Sequence, residues 1–246
     1  MSFHRAKRVA RSVQTLFPFA QEWRTSVERH VRRALGSVHN PNFLGLKNLK
    51  IGPGQIVDVG ANRGQSIESF RILFPGWPII SFEPNGERAH DLKWVYRSEP
   101  HIAIRHAGLS DTNSTLTLYM PRYRGWTFDG LASLDRREAM EWLCPGRFAW
   151  FDPAHLSCVE TQATVILLDE ARLKPCILKI DTQGHEMRVL KGGLETIREH
   201  RPVILLEDAT YAIADLLRPF GYQPFIFNGR DFKPGIAVQN DTFFLP

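Results

Sequence analysis

The stretch V-D-V-G-A-N-R-G-Q-S, residues 57–66, constrains this chain more than any other part of it. An apolar run over 56–59 stops at Gly60, and Gly64 opens a segment whose Ile67, Phe70 and Phe74 recur at helical spacing. A buried strand therefore turns tightly into a helix. Glycine there lets the backbone approach a ligand, and the first helical turn presents N–H groups without intrahelical partners. The next apolar run, 78–82, closes on S-F-E-P-N, which puts Glu83 at the end of the neighbouring strand. A carboxylate in that place accepts hydrogen bonds from a ribose hydroxyl pair.

The spacing separates possible ligands. A dinucleotide fingerprint reads G-x-G-x-x-G, whereas this loop reads G-x-x-x-G and carries Asp58 inside its strand. A carboxylate repels pyrophosphate and suits a cationic amino-acid ligand. S-adenosylmethionine, with an amine, a carboxylate and a sulfonium, fits that pattern better than a nicotinamide dinucleotide.

Downstream, short apolar runs alternate with helical segments. Strands are predicted at 56–59, 78–82, 102–106, 159–168, 177–180 and 203–207, with an edge strand at 115–119. Helices are predicted at 64–74, 87–96 and 211–217, and one helix carries Met187, Leu190, Leu194 and Ile197. Residues 223–227 and 242–245 read as a closing hairpin. Strands alternating with helices imply a doubly wound α/β fold, a parallel sheet with helices on both faces.

In order, V-D-V-G-A-N-R-G, S-F-E-P-N, A-G-L-S-D (107–111), L-K-I-D-T-Q-G-H-E (178–186), V-L-K-G-G (189–193) and P-V-I-L-L-E-D (202–208) resemble the FkbM-type methyltransferases. The resemblance runs from about residue 51 to the C-terminus. It implies a Rossmann-like, mostly parallel sheet whose last strand is antiparallel. It also implies S-adenosylmethionine as cofactor and O-methylation of a sugar, glycolipid or related metabolite. By that resemblance Asp58, Gly60, Asn62, Gly64 and Ser66 surround the methionine part, Glu83 holds the ribose, and Leu109 and Ser110 lie near adenine. His185 stands where the family more often has a small residue.

Ligands of such sheets sit at the C-terminal ends of the strands. Asp181, Glu186 and Glu207 are predicted there, with Lys179 two residues before Asp181 and on the same side of its strand. Methyl transfer to a hydroxyl needs the acceptor placed in line and its proton removed. Asp181 is the first choice for the base and His185 the second, with Lys179 and Glu207 completing the catalytic candidates. For Lys179 a plain ion pair weighs as much as a substrate role, and for Glu186 a helix N-terminal carboxylate outweighs catalysis. The acids are not seen to converge, so no metal site is assigned.

Residues 119–158 interrupt the rhythm and form an aromatic and Arg-rich insertion, including Tyr123, Trp126, Trp142, Phe148 and Trp150. Such faces suit a sugar ring with acidic groups, or equally a small core of their own. Ser133 falls where the family often has a serine near its site.

Charge is uneven. Residues 1–36 carry +6 and the other 210 sum to −1, within a net charge of +5. A near-neutral body speaks against specific nucleic-acid binding. Residues 1–40 read as a basic arm of two amphipathic helices broken at Pro18. One apolar stripe is Val9, Val13, Leu16, Phe17 and Ala20, and the other is Trp23, Val27, Val31, Ala34 and Leu35. Packing on the body or a second subunit, as in a homodimer, is the first expectation for the arm, and contact with an anionic membrane surface the second. A cleaved transit segment is the third. Residues 36–41 read as a linker or loop. Three cysteines without a CxxC pair fit a reducing, cytoplasmic setting. The competing functions are a nicotinamide oxidoreductase and a non-catalytic scaffold that uses the arm to bind a partner or membrane.

Overall fold

The computed structural model describes residues 3–17, 20–237 and 240–246. The expected break at Pro18 lies outside the described residues. In chain order the elements begin with helices α1 (Phe3–Gln14) and α2 (Ala20–Leu35), a 3-10 turn at Pro41–Leu44 and the short α3 (Gly45–Asn48). Then come β1 (Gln55–Val59), α4 (Gln65–Leu73), β2 (Ile79–Phe82), α5 (Gly86–Val95), β3 (Ile102–Arg105) and β4 (Gly108–Leu109). β5 (Ser114–Tyr123), β6 (Trp126–Thr127), α6 (Arg136–Glu141) and β7 (Leu156–Ile166) follow. The chain ends with β8 (Pro175–Ile180), α7 (Glu186–Lys191), α8 (Leu194–His200), β9 (Val203–Glu207), α9 (Tyr211–Leu217), β10 (Gln223–Phe227), β11 (Phe232–Pro234) and β12 (Asp241–Leu245). Two compact units divide it: Met1–His30 with Leu116–Gln162, and Val31–Thr115 with Ala163–Pro246.

The larger unit is built on one sheet in the order β3-β2-β1-β8-β9-β12-β10-β11. From β3 to β9 every ladder is parallel, and β12 is antiparallel to both β9 and β10. The reversed strand is thus the last in sequence, as the family resemblance implies. It is not half of a simple hairpin, because β12 inserts between β9 and β10 while β11 pairs with the far edge of β10. Period-two alternation sends the strand side chains into two cores. Val57, Leu178, Ile204 and Leu206 pack with Val189, Leu190, Ile197 and Leu217 of α7, α8 and α9. Ile56, Ile177, Leu205 and Phe243 pack with Ile67 and Phe70 of α4, Leu92 of α5 and Phe43. Helices therefore cover both faces. Being buried on both sides is why these strands read as continuous apolar runs.

One expectation changes and two gain detail. The helix predicted through Met187 and Ile197 is two helices, broken at Gly192 and Gly193. A Cβ on Gly192 would lie 1.9 Å from Ser110 O, so the chain at that point is pressed against the 107–111 turn. Of the two readings of 36–41 the structure has the loop, ordered by Asn40, whose side chain caps the turn at Pro41–Leu44 by accepting from Asn42 N. The edge strand expected at 115–119 is the first part of a longer β5, which β6 pairs only at Arg122 and Tyr123, with a single bridge from Tyr119 to Ser133 before that.

In the smaller unit the aromatics of 119–158 mainly serve a core. Tyr123, Leu143 and Phe148 are buried with Phe128, Trp142 and Phe151 against them. Ser133 donates to Glu138 Oε2 at 3.0 Å and accepts from Asp135 N at 3.1 Å. The arm joins this core by its polar side. Arg8 donates to Phe148 O at 2.8 Å, Ser12 Oγ accepts from Ala149 N at 2.9 Å, and Arg11 lies 4.8 Å over the Trp142 ring. The expected apolar stripe faces outward: Leu16 is 51% and Leu35 74% exposed, with Val13, Val27 and Val31 also open. Among the described residues no helix is long and apolar enough to cross a membrane.

Candidate active site

The parallel register sets Asp58 of β1 beside Ser81 of β2 and Lys179 of β8, all on the sheet face that α4 covers. Asp58 is 0% exposed. Its Oδ2 accepts from Ser66 Oγ at 2.8 Å and Ser81 Oγ at 3.0 Å. Its Oδ1 lies 3.4 Å from Lys179 Nζ, an ion pair without hydrogen-bond geometry. Asp58 and Ser66 thus meet each other and fasten strand to helix. Lys179 is also buried, and its Nζ donates to Gly60 O at 3.0 Å and sits 3.5 Å from Asp181 Oδ2. Burial pulls the ammonium down, but Asp181, Asp58 and Asp241 together hold it above its ordinary value.

At the end of β1, Gly60 has φ 81° and a Cβ there would meet Asp181 O at 1.9 Å. Only glycine serves on both counts. Gly64, also left-handed at φ 82°, starts α4. Glu83 braces the loop: Oε2 accepts from Asn62 N at 2.6 Å and Oε1 from Asn85 N at 2.8 Å. Asn62 (φ 47°), Gln183 (φ 50°) and Asp208 (φ 52°) are left-handed in the loops after β1, β8 and β9. Such backbone clusters at functional sites.

Asp181 follows β8 and Glu207 ends β9. The two carboxyl groups share a hydrogen bond, and Gln183 Nε2 donates to Asp181 Oδ1 at 3.0 Å and Glu207 Oε2 at 3.4 Å. Burial, and then the hydrogen bond and charge of Asp181, push Glu207 up to about 9. Burial works against ionised Asp181 too, but Lys179 outweighs it and holds this carboxyl below its usual range. The proton therefore rests on Glu207 and the charge on Asp181, which is one third exposed. Asp241, opposite Glu207 in the register, accepts from Asn40 Nδ2 at 2.6 Å and Asn42 Nδ2 at 3.3 Å.

His185 is placed elsewhere. Its Nε2 is 2.9 Å from Ser110 Oγ, so this candidate base joins the 107–111 turn that holds buried Leu109. Burial and then Arg188 pull its imidazole down. Glu186 has a structural task, accepting from Thr182 N at 2.9 Å and from Gly184 N at 3.1 Å. Sequence reasoning missed His39, Asn40, Asn42, Gln183 and Asp241. The one local signal was H-N-P-N at 39–42, an Asn cap before Pro. His39 N donates to Ser69 Oγ at 3.0 Å, and His39 Nδ1 lies 2.8 Å from the same oxygen. Burial, and then the charge of Lys179, pull its imidazole down to about 4. Among the described residues no group of three or more His, Cys, Asp and Glu is placed to hold a metal ion.

The sequence model of the Methyltransferase FkbM domain matches residues 58–224. No curated protein matches the chain. Among solved structures, the methyltransferase FkbM from Methylobacillus flagellatus KT is 18% identical with a TM-score of 0.48, over 78% of this chain and 43% of its own. The chain thus spans less than half the length of that structure. The precorrin-6y C5,15-methyltransferase from Geobacter metallireducens GS-15 is 14% identical with a TM-score of 0.40, over 86% and 84%. The family match begins at Asp58 and takes in the loops after β1, β2, β8 and β9, so this chain belongs to the FkbM methyltransferase family.

Proposed function

We propose that the protein is a SAM-dependent O-methyltransferase acting on a sugar, glycolipid or related hydroxylated metabolite. The observation that carries this reading is the Asp181–Glu207 carboxyl pair, bridged by Gln183 and beside Lys179, at the strand ends where the 60–66 loop and Glu83 also meet. The donor set suits the cofactor. Carboxylates outnumber the single Lys179, which favours a ligand carrying an amine and a sulfonium. Glu83, a carboxylate just after the neighbouring strand, would hold the ribose, and Leu109 and Ser110 would flank adenine. Bound S-adenosylmethionine supplies an electrophilic methyl group. The chain's own part is to hold the acceptor and its proton. Asp181 accepts a hydrogen bond from the acceptor hydroxyl and takes its proton as the new C–O bond forms. Protonated Glu207 and Gln183 keep that carboxylate aimed, and Lys179 keeps it ionised until then.

Calorimetry with S-adenosylhomocysteine tests the cofactor half. Glu83→Ala is expected to weaken binding at least about tenfold, on the scale of lost charged hydrogen bonds. Unchanged affinity removes the site assignment. Asp181→Asn should keep that affinity and lose transfer to the acceptor.

The outward apolar stripe of the arm favours a second reading for its role, contact with an anionic membrane. Co-sedimentation with phosphatidylglycerol vesicles that survives Leu16→Asp with Leu35→Asp speaks against it.

A further inference from the structure

The segment at 39–44 lies on the same sheet face as Lys179 and Asp181, and nothing in the reaction above uses it. Asn40 and Asn42 pin it to Asp241, whose register partner is Glu207. Phe43 anchors it in the core beneath, with the His39 ring edge-on at 4.6 Å and 68°. The hydrogen bonds of Ser69 then settle which way the His39 imidazole is protonated. Ser69 Oγ, buried on α4, accepts the backbone N–H of His39, and among the described residues the hydroxyl proton has no acceptor except His39 Nδ1. Nδ1 is therefore the acceptor nitrogen and Nε2 carries the hydrogen. Nε2 makes no bond to the described residues and is not a buried orphan, so it opens to solvent. Beyond burial, the charges of Lys179, Arg32 and Asp181 bear on the ring.

We propose that His39 binds the methyl acceptor: its Nε2–H donates to an oxygen adjacent to the hydroxyl that Asp181 receives. The site thereby selects vicinal oxygen pairs such as those of a sugar ring or cyclitol. A neutral donor suits the place, because an imidazolium would add positive charge beside Lys179 and a cationic cofactor. A lysine or arginine there would bring the same repulsion. This inference rests on the methyltransferase reading above.

The test uses the full chain. Long-range 1H–15N spectra of histidine-labelled protein at pH 7 are expected to show His39 as the neutral Nε2–H tautomer. The Nδ1–H tautomer or an imidazolium would overturn the proposal without any variant being made. With S-adenosylhomocysteine saturating, methyl glucopyranoside, methyl rhamnopyranoside and myo-inositol serve as probes. At least one should move the His39 Nε2 resonance and bind more tightly than cyclohexanol, which has one hydroxyl. His39→Ala should weaken that probe about tenfold, the scale of one neutral hydrogen bond. His39→Gln should restore part of it, and S-adenosylhomocysteine affinity should stay within about twofold of wild type in both. A panel that leaves the resonance unmoved, or a His39→Ala protein that binds the probe as wild type does, refutes the role of His39 alone. Absence of S-adenosylhomocysteine binding in the wild type refutes the methyltransferase reading and this inference with it.

Discussion

Glu207→Gln should flatten the alkaline pH dependence of stability. In the folded chain Glu207 is pushed up to about 9 by burial and by Asp181, whereas an unfolded glutamate titrates near ~4.3. Between those values the native state holds a proton that the unfolded state releases, so stability falls as pH rises. The slope is at most about 1.4 kcal/mol per pH unit. His39, held down to about 4, contributes stability that grows only up to its unfolded value near ~6.5. Cys176, pushed up to about 11 by burial, begins to act only above its unfolded value near ~8.5. The interval from about pH 7 to 8.5 therefore isolates Glu207, and across it the wild type should lose at most about 2 kcal/mol, at most roughly 30-fold in amide protection, with solvent screening of the half-buried carboxyl reducing both. Hydrogen exchange of β8 and β9, corrected for intrinsic rates and read by mass spectrometry, reports opening of this unit. Taking wild type minus Glu207→Gln cancels the other carboxyls that burial also raises, Asp208, Asp241 and Glu186. Identical slopes in the two proteins would refute the shared-proton assignment.

Gly192→Ala separates backbone entropy from packing: φ −76° and ψ 0° are allowed for alanine, so entropy alone would stabilise by about 0.4–1 kcal/mol. The 1.9 Å approach of its Cβ to Ser110 O predicts the opposite sign, a loss of about 2–4 kcal/mol from overpacking and broken backbone bonds, read as a lower Tm. Glu68→Gln should cost about 1–3 kcal/mol in urea unfolding, because buried Glu68 accepts from Arg33 at 2.8 Å and Tyr96 at 2.8 Å, while the half-exposed Arg33 tempers the loss. Burial raises the Glu68 carboxyl, but Arg33, Tyr96 and Arg71 outweigh it and hold it low. Its contribution is thus present above the carboxylate range and is lost on acidification, so wild type and Glu68→Gln should converge in stability at low pH.

The strands and helices of the first half of the large sheet were legible because their physics is local. A strand buried on both faces reads as an apolar run, and Gly60 is required by a turn that its own neighbours define. β9 and α9 lie where the apolar spacing puts them. The reversed last strand came from the ordered motifs of a family and from no periodicity. The break at Gly192–Gly193 had no local signature beyond two glycines, because its cause is Ser110, far away in sequence. The arm was read by its apolar stripe, yet Arg8, Ser12 and Arg11 found partners in residues 142–149 and left that stripe outside. Asp58, Lys179, Asp181 and Glu207 could be named from the chain, but not the charge states of the last three. Those follow from the register that sets Asp58 beside Lys179 and from the fold that gives Asp181 and Glu207 one proton between them. By itself the sequence determined which residues end the strands. The tertiary structure alone decided which of them hold a proton, and that Asn40 and Asn42, on a segment read as a linker or loop, reach Asp241 opposite Glu207, because hydrogen bonds and charge at the strand ends depend on neighbours 20 to 200 residues apart.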